Sequence, residues 1–121
     1  MRVAIFLTTI ASLWAVSLPA QTTPDRAPAG NVESGKKLYV DRACWMCHGY
    51  AAQGGDGPGG PRLAGRLPQW AVFSKYVRQP TDQMIPYTTK VLPDQELADI
   101  YAWLKAIPAP PALSSFPQLK D

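Results

Sequence analysis

The sequence predicts an all-α domain with long loops, and three observations carry that reading. Three segments repeat apolar residues at the spacing of a helix. No stretch alternates apolar and polar residues strongly enough to read as a strand. Between the first two helical segments lies "GYAAQGGDGPGGPRLAGR", residues 49–66, with seven glycines in 18 positions. A loop of that length in a small domain usually carries function.

The 121 residues suffice for one small domain. Residues 1–20 read as a signal peptide: Met1-Arg2 opens it, Val3 to Val16 is largely apolar, and "SLPA" ends on a small residue suited to cleavage. An uncleaved anchor is the rival reading. However, a spanning helix needs about 20 apolar residues, and Pro19 cuts this run short. Membrane attachment is expected only if the segment stays uncleaved. Cleavage would leave residues 21–30 as a flexible leader, 31–108 as the folded domain and 109–121 as a loose Pro-rich tail. The expected location is therefore exported, in a periplasm.

The first helix is expected from about Asn31 to Cys44. Asn31 suits an N-cap and Glu33 the first turn, while Val32, Gly35, Tyr39 and Ala43 recur on one face. Gly35 weakens a helix interior by up to about 1 kcal/mol, so its place on the apolar face suggests that another element crosses there. The second helix is expected from about Gln69 to Gln79, between Pro68 and Pro80, with Trp70, Phe73, Tyr76 and Val77 on one face. The third opens at Pro93, with Asp94 and Glu96 where the helix dipole favours acids. Leu97, Ile100, Tyr101 and Leu104 form its stripe, Trp103 flanks it, and Pro108 ends it. Residues 80–92 form a second loop.

The full chain carries 12 Lys/Arg and 9 Asp/Glu. Loss of Arg2 with the signal leaves a net charge of +2. No basic run and no Lys/Arg stripe interleaved with aromatics is present, so nucleic acid is not an expected partner. The folded segment is near the ~70–80 residues below which a hydrophobic core alone gives marginal stability. Something besides side chains is expected to fill its interior.

"CWMCHGY", Cys44 to Tyr50, holds both cysteines and the single histidine of the chain. A structural zinc site needs four ligands, and Cys44, Cys47 and His48 are three. A thioredoxin-type dithiol needs a strand–helix context, which is missing here. A disulfide across so short a loop would stabilise little. Covalent haem attachment, C-x-x-C-H, fits best. The thiols of Cys44 and Cys47 would add across two haem vinyl groups, and His48 would come under the iron as an axial ligand. The cofactor expected is one haem c.

The iron then needs a second ligand or an open position. A second histidine is absent from the chain. Met1 lies in the signal, and Met46 is held between the two anchors on the wrong side. Met84 remains, 36 residues beyond His48 in "DQMIPY". The bland alternative is a methionine filling the core, but its loop position, with Pro86 two residues on, favours ligation. His48 and Met84 are thus the expected metal ligands, and the expected function is one-electron transfer rather than catalysis. A gas sensor or haem enzyme with a labile distal ligand is the alternative. A peroxidase would want a distal acid–base group, usually a second histidine. A sensor needs only a labile site.

The segments "GKKLYVDRACWMCHG", "GPGGPRLAG", "QMIPY" and "PDQELADIYAWLKAI" resemble, in that order, the small class I c-type cytochromes. The resemblance covers residues 31–108. It implies three to four short helices wrapped around one covalently bound haem, with His48 proximal and Met84 distal. It implies that the first and last helices cross, with Gly35 and Tyr39 against Tyr101 and its neighbours. It implies that a prolyl carbonyl accepts the proximal imidazole N–H, with Pro61 in the fitting place and Pro58 as the second candidate. Leu63 would pack on the ring, and Trp70, Arg62, Arg66 or Tyr50 would serve the propionates. The partners implied are redox proteins, a dehydrogenase or a terminal oxidase or reductase, with the domain free or as a haem subunit of a larger complex.

Overall fold

The computed structural model describes residues 26–55 and 59–119. The signal segment, the first half of the leader (residues 21–25) and Pro58 lie outside the described residues. Among the described residues the regular structure is helical, with no strand: α1 (Val32–Asp41), α2 (Trp45–His48), α3 (Trp70–Arg78) and α4 (Asp94–Ala106). The fold is all-α, as the sequence predicts. Among the described residues no helix is long and apolar enough to cross a membrane.

Asn31 starts α1 from extended backbone, and its side-chain oxygen accepts the Ser34 N–H at 2.9 Å. That satisfies one of the amide donors a helix start leaves open. The helix ends at Asp41, short of the expected Cys44. Arg42 leaves helical geometry and Ala43 takes a left-handed φ of 59°. That conformation costs an alanine about 1–2 kcal/mol, and no glycine in the sequence announces it. The turn is held from two sides. The Arg42 guanidinium reaches Glu96 Oε2 on α4, with Nη2 at 2.6 Å, and the Arg42 carbonyl accepts the Tyr87 hydroxyl at 2.7 Å. Tertiary ties override helix propensity here and swing the following residues into α2.

α1 crosses α4. A Cβ on Gly35 would overlap the Asp99 carbonyl and stand 2.9 Å from Trp103 Cβ. The Tyr39 and Trp103 rings lie 4.6 Å apart between centroids. The expected crossing is present, and Asp99 and Trp103, two residues to either side of Tyr101, make its closest approach to Gly35. Residues four apart share a helix face, whereas Tyr101 is two positions from each and points almost oppositely. It turns to α3, where it meets Trp70 edge-on at 5.3 Å and Phe73 at 5.1 Å.

The core gathers Tyr39, Phe73, Val77, Leu92, Leu97, Ile100 and Leu104. Fully burying a side chain such as Leu97 contributes about 1.5–3 kcal/mol. Asp99 is also buried. Its Oδ1 accepts the Asn31 N–H at 2.8 Å and the Gln95 side-chain amide at 3.0 Å. Gln95 also donates to the Ala29 carbonyl at 2.8 Å, and Gly30 packs on the Ala98 carbonyl. Residues 29–30, grouped by sequence with the leader, thus lie along α4. In the tail, single 3-10 turns cover Leu113–Ser115 and Pro117–Leu119, and Leu113 and Phe116 stay exposed.

Candidate haem-binding site

Cys44 sits at the N-cap position of α2, and Cys47 and His48 follow three and four residues on. That spacing puts all three on one side of a single helical turn. Cys44 is half-buried against the core, and Cys47 is exposed. The two are not joined in a disulfide. Burial, above all, pushes the Cys44 thiol up to about 11, so the unmodified chain keeps it protonated at neutral pH.

The glycine-rich loop completes this turn. Helix ends leave carbonyls without intrahelical partners. Here Gly60 N–H donates to the Cys47 carbonyl at 2.7 Å and Gly54 N–H to the His48 carbonyl at 2.8 Å. The Tyr39 hydroxyl donates to the Gly49 carbonyl at 2.8 Å. Folded back this way, the loop brings Pro61 to the imidazole: His48 Nδ1 lies 2.8 Å from the Pro61 carbonyl oxygen. A carbonyl only accepts, so Nδ1–H donates and the Nε2 lone pair is left for a metal. His48 is 8 % exposed. Gly60 lies on its ring, where a Cβ would stand 2.5 Å from Cε1 and 2.6 Å from Nδ1. Ring plane, tautomer and donor atom are thus set by backbone. Two thiols and an oriented imidazole nitrogen on one turn fit covalently attached haem.

Met84 is half-buried and packs against the core cluster from the loop between α3 and α4. Met46, between the two cysteines, is 69 % exposed. Leu63 is half-buried against the core, and its N–H donates to the Ala52 carbonyl at 2.9 Å. Arg62 and Arg66 are exposed. Trp70 belongs to the aromatic group with Phe73 and Tyr101 and borders an open groove with Lys75, Arg78 and Asp94. Tyr50 is exposed and stacks on Trp45 with centroids 4.3 Å apart. The structure therefore brings Cys44, Cys47, His48 and Pro61 together, and sets Met84 and Leu63 on the core. Sequence reasoning missed Gly60, whose signal was its place directly before Pro61. It also missed Tyr87, three residues past Met84, whose hydroxyl spans 45 residues to Arg42.

An all-α domain with a C-x-x-C-H turn, its imidazole pinned by a prolyl carbonyl, is a class I c-type cytochrome domain. Residues 30–104 match the family model described as cytochrome c oxidase, cbb3-type, subunit III, and the chain belongs to that family. No curated protein and no solved structure matches it significantly. Membership carries haem-based electron transfer with it, as a carrier or as part of an oxidase assembly.

Proposed function

We propose that the domain is an exported one-electron carrier in which a single haem c is held by thioethers to Cys44 and Cys47 and by axial bonds from His48 and Met84. The observation that carries this reading is the 2.8 Å bond between His48 Nδ1 and the Pro61 carbonyl. It commits one ring nitrogen and leaves Nε2 as the donor, and such a hydrogen bond also raises ligand basicity. When bound, the group supplies a Fe(III)/Fe(II) couple whose potential methionine ligation raises. The chain's own residues do the rest. Cys44 anchors at the core margin and Cys47 at the surface, Gly60 and Pro61 hold the imidazole plane, and Met84 offers a thioether from a half-buried position.

The chain has one histidine, and the proximal role uses it, so a distal imidazole base for peroxidase-type chemistry is lacking. The electron donor and acceptor are redox proteins in the exported compartment. The name of the matched family favours a terminal oxidase among them, with a dehydrogenase as the other candidate. Redox encounters of this kind use small interfaces.

Co-expression with a haem c maturation system tests the reading. The holoprotein is expected to gain the mass of one haem, to resist alkylation at both cysteines, and to show the long-wavelength ferric band of a methionine–iron bond. Met84→Ala should keep the covalent haem, lower the midpoint potential and admit imidazole or carbon monoxide. Alkylatable thiols in the haem-loaded protein, or an unchanged potential in Met84→Ala, would refute it.

A further inference from the structure

We propose that Tyr87 is a positioning residue for Met84, its hydroxyl tying the Met84 loop to the turn that leads into Cys44. The inference rests on the His48/Met84 reading above and adds a residue to it. Tyr87 follows Met84 by three positions and is fastened at every polar group it has. Its hydroxyl donates to the Arg42 carbonyl at 2.7 Å, its N–H donates to the Val77 carbonyl at 3.0 Å, and its own carbonyl accepts Arg78 Nη1 at 2.9 Å. The two ends of this brace are themselves held. Arg78 Nη2 reaches Asp94 Oδ1 and Arg42 Nη2 reaches Glu96 Oε2, each at 2.6 Å.

The loop tip between Met84 and Tyr87 has no such support from burial: Ile85 is 75 % exposed and Pro86 is exposed as well. Tyr87 is thus where the tether of Met84 meets the packed domain. From there its hydroxyl connects directly to the segment two residues before the first thioether anchor. The chain leaves α1 through a left-handed Ala43 at this place, so the Arg42 carbonyl is turned out of the helix ladder and is free to accept. One hydrogen bond then couples the segment carrying the distal ligand to the segment carrying the first anchor and, through it, the proximal ligand.

Replacement of Met84 by a ligand from solution requires the loop to swing away, and a tie broken in the open state opposes that motion. Removing one such neutral bond is expected to raise exogenous-ligand affinity about fivefold, the equivalent of a typical net hydrogen-bond contribution.

The test is an imidazole titration of the ferric holoprotein, followed by the shift of the main haem absorption band in wild type, Tyr87→Phe, Arg78→Gln, Tyr101→Phe and Met84→Ala, with loss of the methionine–iron band as a second readout wherever Met84 is present. Covalent haem content is measured in each. Tyr101→Phe is the matched control: it loses a hydroxyl bond to the Pro68 carbonyl, 3.1 Å long, outside the Met84 loop. Tyr87→Phe should bind imidazole about fivefold more tightly with full haem content, Arg78→Gln should shift in the same direction, and Tyr101→Phe should match wild type. If Tyr87→Phe binds no more tightly than Tyr101→Phe while Met84→Ala opens the iron, the positioning role is overturned and the ligand reading stands. If Met84→Ala leaves imidazole affinity unchanged, both fall. Should Tyr87→Phe lose haem, Arg78→Gln decides by the same comparison.

Discussion

Gly60 lies against the His48 ring so closely that a Cβ there would stand 2.5 Å from Cε1, while the next residue, Pro61, holds Nδ1 through its carbonyl. A methyl group at this point must push either the imidazole or the loop backbone. Both movements lengthen the bond that orients Nε2. Gly60→Ala is therefore expected to lower the yield of haem-loaded protein and to destabilise what forms by about 1–3 kcal/mol, the usual cost of overpacking. Haem per polypeptide and a thermal melt measure the two effects. A wild-type yield with a wild-type melt would show that the ring has slack.

At the α1–α4 crossing two effects of Gly35→Ala oppose each other. Alanine favours an exposed helix by up to about 1 kcal/mol over glycine. Against that, the added Cβ meets the Asp99 carbonyl, a backbone atom that moves only if the helices part. Overpacking costs about 1–3 kcal/mol and would also lengthen the Tyr39–Trp103 contact, so the net sign is destabilising. The midpoint of a urea transition should fall. A rise would mean that helix propensity outweighs the close approach.

The three longer helices were legible because each buries a stripe at its own period: Leu97, Ile100 and Leu104 are buried as their spacing requires. The site's residues were legible because the chemistry crowds into Cys44, Cys47 and His48. What escaped had no local signal. The end of α1 falls in "DRAC", where Arg42 and Ala43 are acceptable helix formers. It is the long-range ties to Glu96 and Tyr87 that break the helix. Asp99 looks like a surface acid in the sequence, yet it is buried, and it accepts bonds from Asn31 and Gln95. Its neighbour Trp103, read as a flank, is half of the crossing.

Asp99 supplies a contrast between losing charge and losing an acceptor. Asp99→Asn keeps a carbonyl oxygen that can take the Asn31 N–H, whereas Asp99→Ala leaves that N–H without its acceptor, although Gln95 keeps its bond to the Ala29 carbonyl. A partly buried donor left without a partner costs about 1–3 kcal/mol. Asp99→Ala should therefore destabilise the fold clearly more than Asp99→Asn. Parallel denaturant titrations give the comparison, and equal losses would place the effect in the charge instead.

Alkaline pH tests the buried tyrosines. Burial is the main cause pushing the Tyr39 hydroxyl well above the ordinary tyrosine value near 10, with the two cysteines adding to it. Thioether formation removes the thiols' share and leaves burial. The hydroxyl also donates to the Gly49 carbonyl at 2.8 Å, which a phenolate cannot do. The folded state thus holds this proton after the unfolded chain has released it. Stability from Tyr39 is fully present below about pH 10 and declines above it, by at most about 1.4 kcal/mol per pH unit for one group. Tyr87, raised chiefly by burial, adds a slope of the same sign. Tyr39→Phe should be less stable at pH 7, by about 0.5–1.5 kcal/mol for the lost bond, and should lose less than wild type between pH 9 and pH 11. The two stability curves should therefore converge as the pH rises. Parallel curves would mean that Tyr39 titrates alike in the folded and unfolded chains, which would contradict the sealed position of its hydroxyl beneath the Cys–His turn.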